Sequence, residues 1–120
     1  MTQRQPLTTS GIFYDSPNLA DFKKWFGARI LGGATTNPLT LAKEGILNIP
    51  KHIEQMIAIC GPNFPISIEL PDSEMPPKDM IKLGLAYYKK FPRNAVIKVP
   101  MDPTNPQKAF EVIYALGQKK

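Results

Sequence analysis

Four short apolar or alternating runs begin near residues 12, 30, 66 and 95, and a helix-patterned stretch follows each one. Ile12-Phe13-Tyr14 precedes Ser16-Pro17, a capping residue with proline at the first helical position, and Leu19, Phe22 and Phe26 then recur at helical spacing. Ile30 to Ala34 leads into Thr35-Thr36-Asn37-Pro38, a short helical turn closed by Gly45, and a stripe of Ile49, Ile53, Met56, Ile57 and Cys60 ending at Gly61-Pro62. Ile66-Ser67-Ile68-Glu69-Leu70 alternates as a strand, and Pro76-Pro77 opens a helix with Met80, Leu83, Tyr87 and Phe91 on its apolar face. Ala95 to Val99 is the fourth strand, and Thr104-Asn105-Pro106 caps a last helix whose apolar face is read as Phe110, Ile113, Tyr114 and Gly117. Strands alternating with helices demand a parallel sheet, either an open doubly wound sheet or part of a (β/α)8 barrel. No GxGxxG or GxxxxGK[ST] is present, so the common nucleotide-binding forms of the open sheet lose support.

Composition narrows the classes further. The 120 residues suffice for one domain, and no run of about 18 apolar residues could span a membrane. One cysteine, Cys60, and one histidine, His52, argue against a disulfide framework and a His/Cys zinc site, and fit a reducing cytoplasm. Cys60 is read as core and His52 as solvent-exposed. The net charge of +5 is scattered, without the basic stripe and interleaved aromatics of a nucleic-acid binder. Residues 1–10 are polar and read as a loose lead-in without a leader pattern, with one domain over 11–120.

Lys98 interrupts the β-branched run Ala95-Val96-Ile97-Lys98-Val99. Strand alternation puts Val96 and Lys98 on one face, Ile97 and Val99 on the other. Apolar residues on both faces are the pattern of a strand buried on both sides. An ammonium there costs several kcal/mol unless it is paired or deprotonated, and a deprotonated amine is a nucleophile for carbonyls. The competing reading is an edge-strand lysine, or one whose stem carries the charge out to water.

Each strand also carries a polar residue at or near its C-terminal end, the ligand-binding edge of parallel α/β folds. These are Asp15, Thr36 with Asn37, Glu69 and Lys98. A lysine nucleophile needs a carboxylate to shuttle protons, a group to hold water, and an amide or hydroxyl to orient substrate. The set supplies these types. Structural readings stand beside each: Asp15 in a helix cap, Thr36-Asn37-Pro38 as a turn and helix start, Glu69 as a solvated position.

Together, Phe13-Tyr14-Asp15-Ser16, Gly33 to Pro38, Ile66 to Glu69 and Val96 to Met101 resemble the transaldolase family, in particular its short transaldolase and fructose-6-phosphate aldolase branch. The Thr-Thr-Asn-Pro and Lys-Val-Pro runs, about 60 residues apart, carry the resemblance as a pair. It implies a (β/α)8 barrel and a Schiff-base mechanism in the pentose phosphate pathway. Lys98 would form an imine with a ketose phosphate, Asp15 would move protons during carbon–carbon cleavage, and Glu69 would hold the water of imine formation and hydrolysis. Thr36 and Asn37 would bind substrate hydroxyls or that water. A dihydroxyacetone unit would pass to an aldose phosphate, with no cofactor or metal, because the imine is the electron sink. Aldolase-only members tend to carry glutamine at the Glu69 position, so glutamate leans toward transfer over simple aldol cleavage.

A (β/α)8 barrel typically takes about 250 residues. The expectation is therefore the first four β-α units, a half-barrel over 11–120. A fragment of a longer protein is the preferred account, because the chain ends at Gly117-Gln118-Lys119-Lys120 with no closing element. A pair of copies completing the barrel, and a truncated non-catalytic module for binding or assembly, are the alternatives. The family's phosphate-binding arginine has no counterpart here, and Arg29, Lys43 and Arg93 are the candidate substitutes.

Overall fold

The computed structural model describes residues 11–71 and 74–119; the lead-in expected over 1–10 lies outside them. In chain order the elements are β1 (Phe13–Tyr14), α1 (Leu19–Gly27), β2 (Gly33–Thr36), α2 (Pro38–Lys43), α3 (Ile49–Cys60), β3 (Ile66–Glu69), α4 (Pro77–Lys90), β4 (Ala95–Lys98) and α5 (Pro106–Lys119). All strand pairs are parallel and the sheet order is β1-β2-β3-β4. An order that never reverses, joined by right-handed crossovers, puts every helix on the same side of the sheet. A doubly wound sheet would reverse its order. The α/β architecture is thus as expected, and its four-stranded parallel sheet is compatible with a half-barrel.

Local chemistry sets the helix ends. Asn18, not Ser16, caps α1: its side chain accepts from the Asp21 N–H at 2.9 Å, while Ser16 Oγ accepts from the Asn18 N–H. The helix therefore starts two residues later than the Ser-Pro pair suggests. Asn37 and Asn48 cap α2 and α3, each with a proline in the first two helical positions. α3 stops at Gly61, whose φ of 73° lies in the left-handed region that favours glycine, and whose N–H donates to the Ile57 carbonyl. Pro76-Pro77 opens α4 without a side-chain cap.

Register sorts the strand residues into two faces. Ala34, Ile66 and Ala95 are aligned, as are Thr36, Ile68 and Ile97, and these rows face the helices. Phe22, Ile53, Met56, Met80 and Val112 close the core over them. Thr35, Ser67 and Val96 form the opposite row, followed by Glu69 and Lys98. Among the described residues no helix lies over that face, and Val96 is 48% exposed and Lys98 is exposed too. The expectation of a strand buried on both sides is corrected here. The alternation was read properly, but a single helix layer covers a single face.

Two further expectations change. α5 buries Ala109, Val112 and Leu116, leaving Phe110, Ile113 and Tyr114 at 53%, 50% and 69% exposure. Both stripes have helical spacing; contact with α4 selects the smaller one, and Leu116 packs where Gly84 has no side chain. His52 is buried, at 3% exposure, because α3 packs against α1 on that side. Cys60, expected in the core, is half-buried at its margin, and burial pushes its thiol pKa up to about 11.

Burial holds the His52 imidazole below its ordinary pKa. The unfolded chain then binds the proton more readily, so stability is full above the unfolded value and falls as the pH drops below it, through the lowered folded value. We expect the urea midpoint to decline between pH 7.5 and 5.5, and His52→Gln to flatten that decline. Identical slopes for the two proteins would contradict this.

Candidate active site at the C-terminal strand edge

The C-terminal edge gathers residues from all four strands on the uncovered face. β1 ends at Tyr14, whose hydroxyl donates to the Asn18 carbonyl at 2.8 Å. Asp15 follows immediately. Since Asn18 caps α1, the Asp15 carboxylate is free for a different partner: it accepts from the Thr35 hydroxyl at 2.8 Å. This bond joins the ends of β1 and β2.

Asn37 does two jobs with one amide. Its Oδ1 accepts from the N–H groups of Leu39 and Thr40, capping α2, while its Nδ2 donates to Glu69 Oε2 at 2.8 Å. The cap holds the amide in one orientation, and the amide in turn holds the half-buried Glu69 carboxylate. Glu69 is aligned with Lys98 across the β3–β4 pair. Asn37, Glu69 and Lys98 therefore form a row across three adjacent chain segments. Asp15 and Thr35 lie toward the β1 side.

Thr36 is not brought to this row. It is on the helix-covered face, 6% exposed, and its hydroxyl donates to the Ser67 carbonyl at 2.9 Å. The hydroxyl that reaches the edge belongs to Thr35. The signal for it was present: adjacent strand residues face opposite ways, so Thr35 shares a face with Asn37 and Thr36 does not. His52 is the other residue that sequence reasoning passed over. It lines a cavity of about 10 Å³, the size of one water, with Asp15, Thr35, Thr36 and Asn37. No periodicity argument could have placed it there, because the packing of α3 against α1 decides it.

Chemically, the edge offers an exposed primary amine, a carboxylate beside it held by an amide, and a second carboxylate held by a hydroxyl. No family model matches the chain. Among curated proteins, it is 34% identical over 89 residues to a probable transaldolase of Dehalococcoides mccartyi, covering 74% of this chain and 39% of that relative. It is 37% identical over 93 residues to a probable transaldolase of Leptospira biflexa, covering 77% and 40%. A third, from Exiguobacterium sibiricum, is 31% identical over 108 residues, covering 90% and 46%. The chain is a partial match to the transaldolase family. The chain spans less than half the length of each of these transaldolase relatives. Among the described residues, no helix is long and apolar enough to cross a membrane.

Proposed function

We propose that this chain carries the Schiff-base part of a transaldolase site acting on sugar phosphates in the cytoplasm. Lys98 Nζ adds to the C2 carbonyl of a ketose phosphate, and the carbinolamine loses water to give an imine. Asp15 takes the proton from the C4 hydroxyl as the C3–C4 bond breaks, and the aldose phosphate leaves. The bond's electron pair passes into the imine to form an enamine. The enamine carbon then attacks the aldehyde of an acceptor, whose oxygen takes the proton back from Asp15. Water held by Glu69 and Asn37 hydrolyses the new imine and frees Lys98. Thr35 orients the Asp15 carboxylate, and Thr36 ties β2 to β3 so that Asn37 meets Glu69.

The observation that carries this reading is the row Asn37–Glu69–Lys98, an amine in register with an oriented carboxylate at the ligand edge of a parallel sheet. The test is intact mass after borohydride reduction, with and without fructose 6-phosphate. We expect a reduced three-carbon adduct that peptide mapping puts on Lys98. No adduct on the folded chain would reject the catalytic reading. The exposure of Lys98 on an uncovered face favours, as second reading, a non-catalytic module that binds or assembles through that face. Product analysis with an added aldose phosphate separates transfer from aldol cleavage.

A further inference from the structure

His52 is 3% exposed, near the start of α3 where that helix packs on α1. Its backbone N–H donates to the Asn48 carbonyl, but among the described residues the ring itself bonds nothing. No buried side-chain nitrogen or oxygen among those residues lacks a partner. The ring nitrogens are therefore not sealed off, and border space that water enters. Two such spaces meet at His52. One is the cavity of about 10 Å³ that it shares with Asp15, Thr35, Thr36 and Asn37. The other is a surface groove of about 520 Å³ that it shares with Asn18, Lys51 and Gln55.

We propose that the cavity holds one water that links the His52 ring to the Asp15 carboxylate, and that His52 positions Asp15 through it. A site for a single water needs a space of roughly 10–15 Å³ and two to four polar partners. The cavity meets both conditions, and a space this small puts the groups around it within reach of one molecule. The other bonds leave two of these groups for the water. Asp15 Oδ1 accepts from Thr35, Thr36 donates to the Ser67 carbonyl, and Asn37 uses its amide on the α2 cap and on Glu69. Oδ2 of Asp15 and the ring of His52 remain. Burial keeps the imidazole neutral at pH 7, with one nitrogen donating and the other accepting. The donor nitrogen binds the water oxygen, and the water donates to Oδ2. A carboxylate oxygen accepts two bonds, so Oδ2 keeps a place for a substrate hydroxyl. Thr35 on one oxygen and the water on the other stop the carboxylate from turning. The link rests on the cavity. Its consequence for turnover rests on the Schiff-base reading, in which Asp15 takes the C4 proton.

Titrating the Asp15 carboxyl carbon by carbon-13 spectroscopy of the full chain tests the link. Losing a donor to the charged form raises a carboxyl pKa, so His52→Phe is expected to raise the Asp15 midpoint by about half a pH unit. His52→Gln, whose amide is also a donor, is expected to restore the wild-type midpoint. An unmoved midpoint in folded His52→Phe overturns the link. So does the same rise in both variants, which would come from losing the charge of a protonated ring. Lys51 lines the groove, and Asp21 and Glu44 line a further groove with Asn18. Their charges are the same in both variants, so they do not enter the comparison. In the wild-type chain, a water-selected Overhauser spectrum is expected to show a long-lived water at the ring protons of His52, the one histidine of the sequence. Absence of that signal overturns the site without any substitution.

Borohydride trapping with fructose 6-phosphate reads the consequence for turnover. His52→Phe is expected to lower the ratio of three-carbon to uncleaved six-carbon adduct on Lys98 by about tenfold. An unchanged ratio overturns the positioning role. No adduct on the wild-type chain would reject the Schiff-base reading, and the Asp15 midpoint would still decide the link, so each failure is visible alone.

Discussion

Lys98→Ala is expected to remove the borohydride-trapped adduct completely and to lower any dihydroxyacetone transfer by on the order of 10³-fold or more. An alanine has no electron pair to add to a ketone, and in the proposed mechanism Glu69 and Asp15 supply protons and orientation only. Stability should change by no more than about 0.5 kcal/mol, because Lys98 is exposed and its removal opens no cavity. This pair of readouts is what separates a chemical role from a structural one. Loss of the adduct with an unchanged urea midpoint supports the mechanism. Retention of the adduct would move the imine to another lysine and remove the role assigned to Lys98. A drop in the midpoint of several kcal/mol would show the side chain to be part of the fold.

Asn94→Ala is expected to destabilise the chain by about 2–3 kcal/mol. Asn94 is 6% exposed, and its Nδ2 donates to the carbonyls of Gly61 and Phe64, both at 2.9 Å. One amide thus ties the entry of β4 to the loop that leads from α3 into β3. The Asn94 backbone takes part as well, since its carbonyl accepts from the Ile66 N–H at 2.8 Å. Alanine keeps that bond but strands the two loop carbonyls. Among the described residues, the Gly61 carbonyl then retains the weak Cys60 Sγ–H contact at 3.4 Å. Against a typical total stability of about 5–15 kcal/mol, the loss is a large share. Chemical denaturation measures it directly, and a change under about 0.5 kcal/mol would mean that water replaces the amide at no cost. The row of Asn37, Glu69 and Lys98 should also loosen, because the β3–β4 register that aligns Glu69 with Lys98 begins at this tie.

Nothing in the sequence marked Asn94. It lies between Arg93 and the fourth strand, where an asparagine reads as an ordinary turn residue, and its value comes from two carbonyls 30 and 33 residues away. By contrast, Asp15, Asn37, Glu69 and Lys98 were legible as a group, since each stands at the end of a strand that periodicity and punctuation identify. The strand ends were legible because the β-α alternation is local: proline, glycine and asparagine stop one element and start the next within a few residues. Thr35 was legible in principle from alternation and was displaced by its neighbour Thr36. The stripe of α5 was not legible, because Phe110-Ile113-Tyr114 and Ala109-Val112-Leu116 both fit a helical period.

The sequence by itself determined the order and type of the elements, the parallel sheet, and the edge at which the titratable residues collect. All of these follow from spacing within a short window and from the handedness of the connections. Only the tertiary structure decided which face each residue looks onto. It exposed Lys98, buried His52, gave Asp15 to Thr35, gave Glu69 to Asn37 and chose the small stripe of α5. Burial is a property of what packs against a side chain, and packing partners here come from elements tens of residues distant. Periodicity says that a helix or strand has two sides, and a neighbour is needed to say which side is inside.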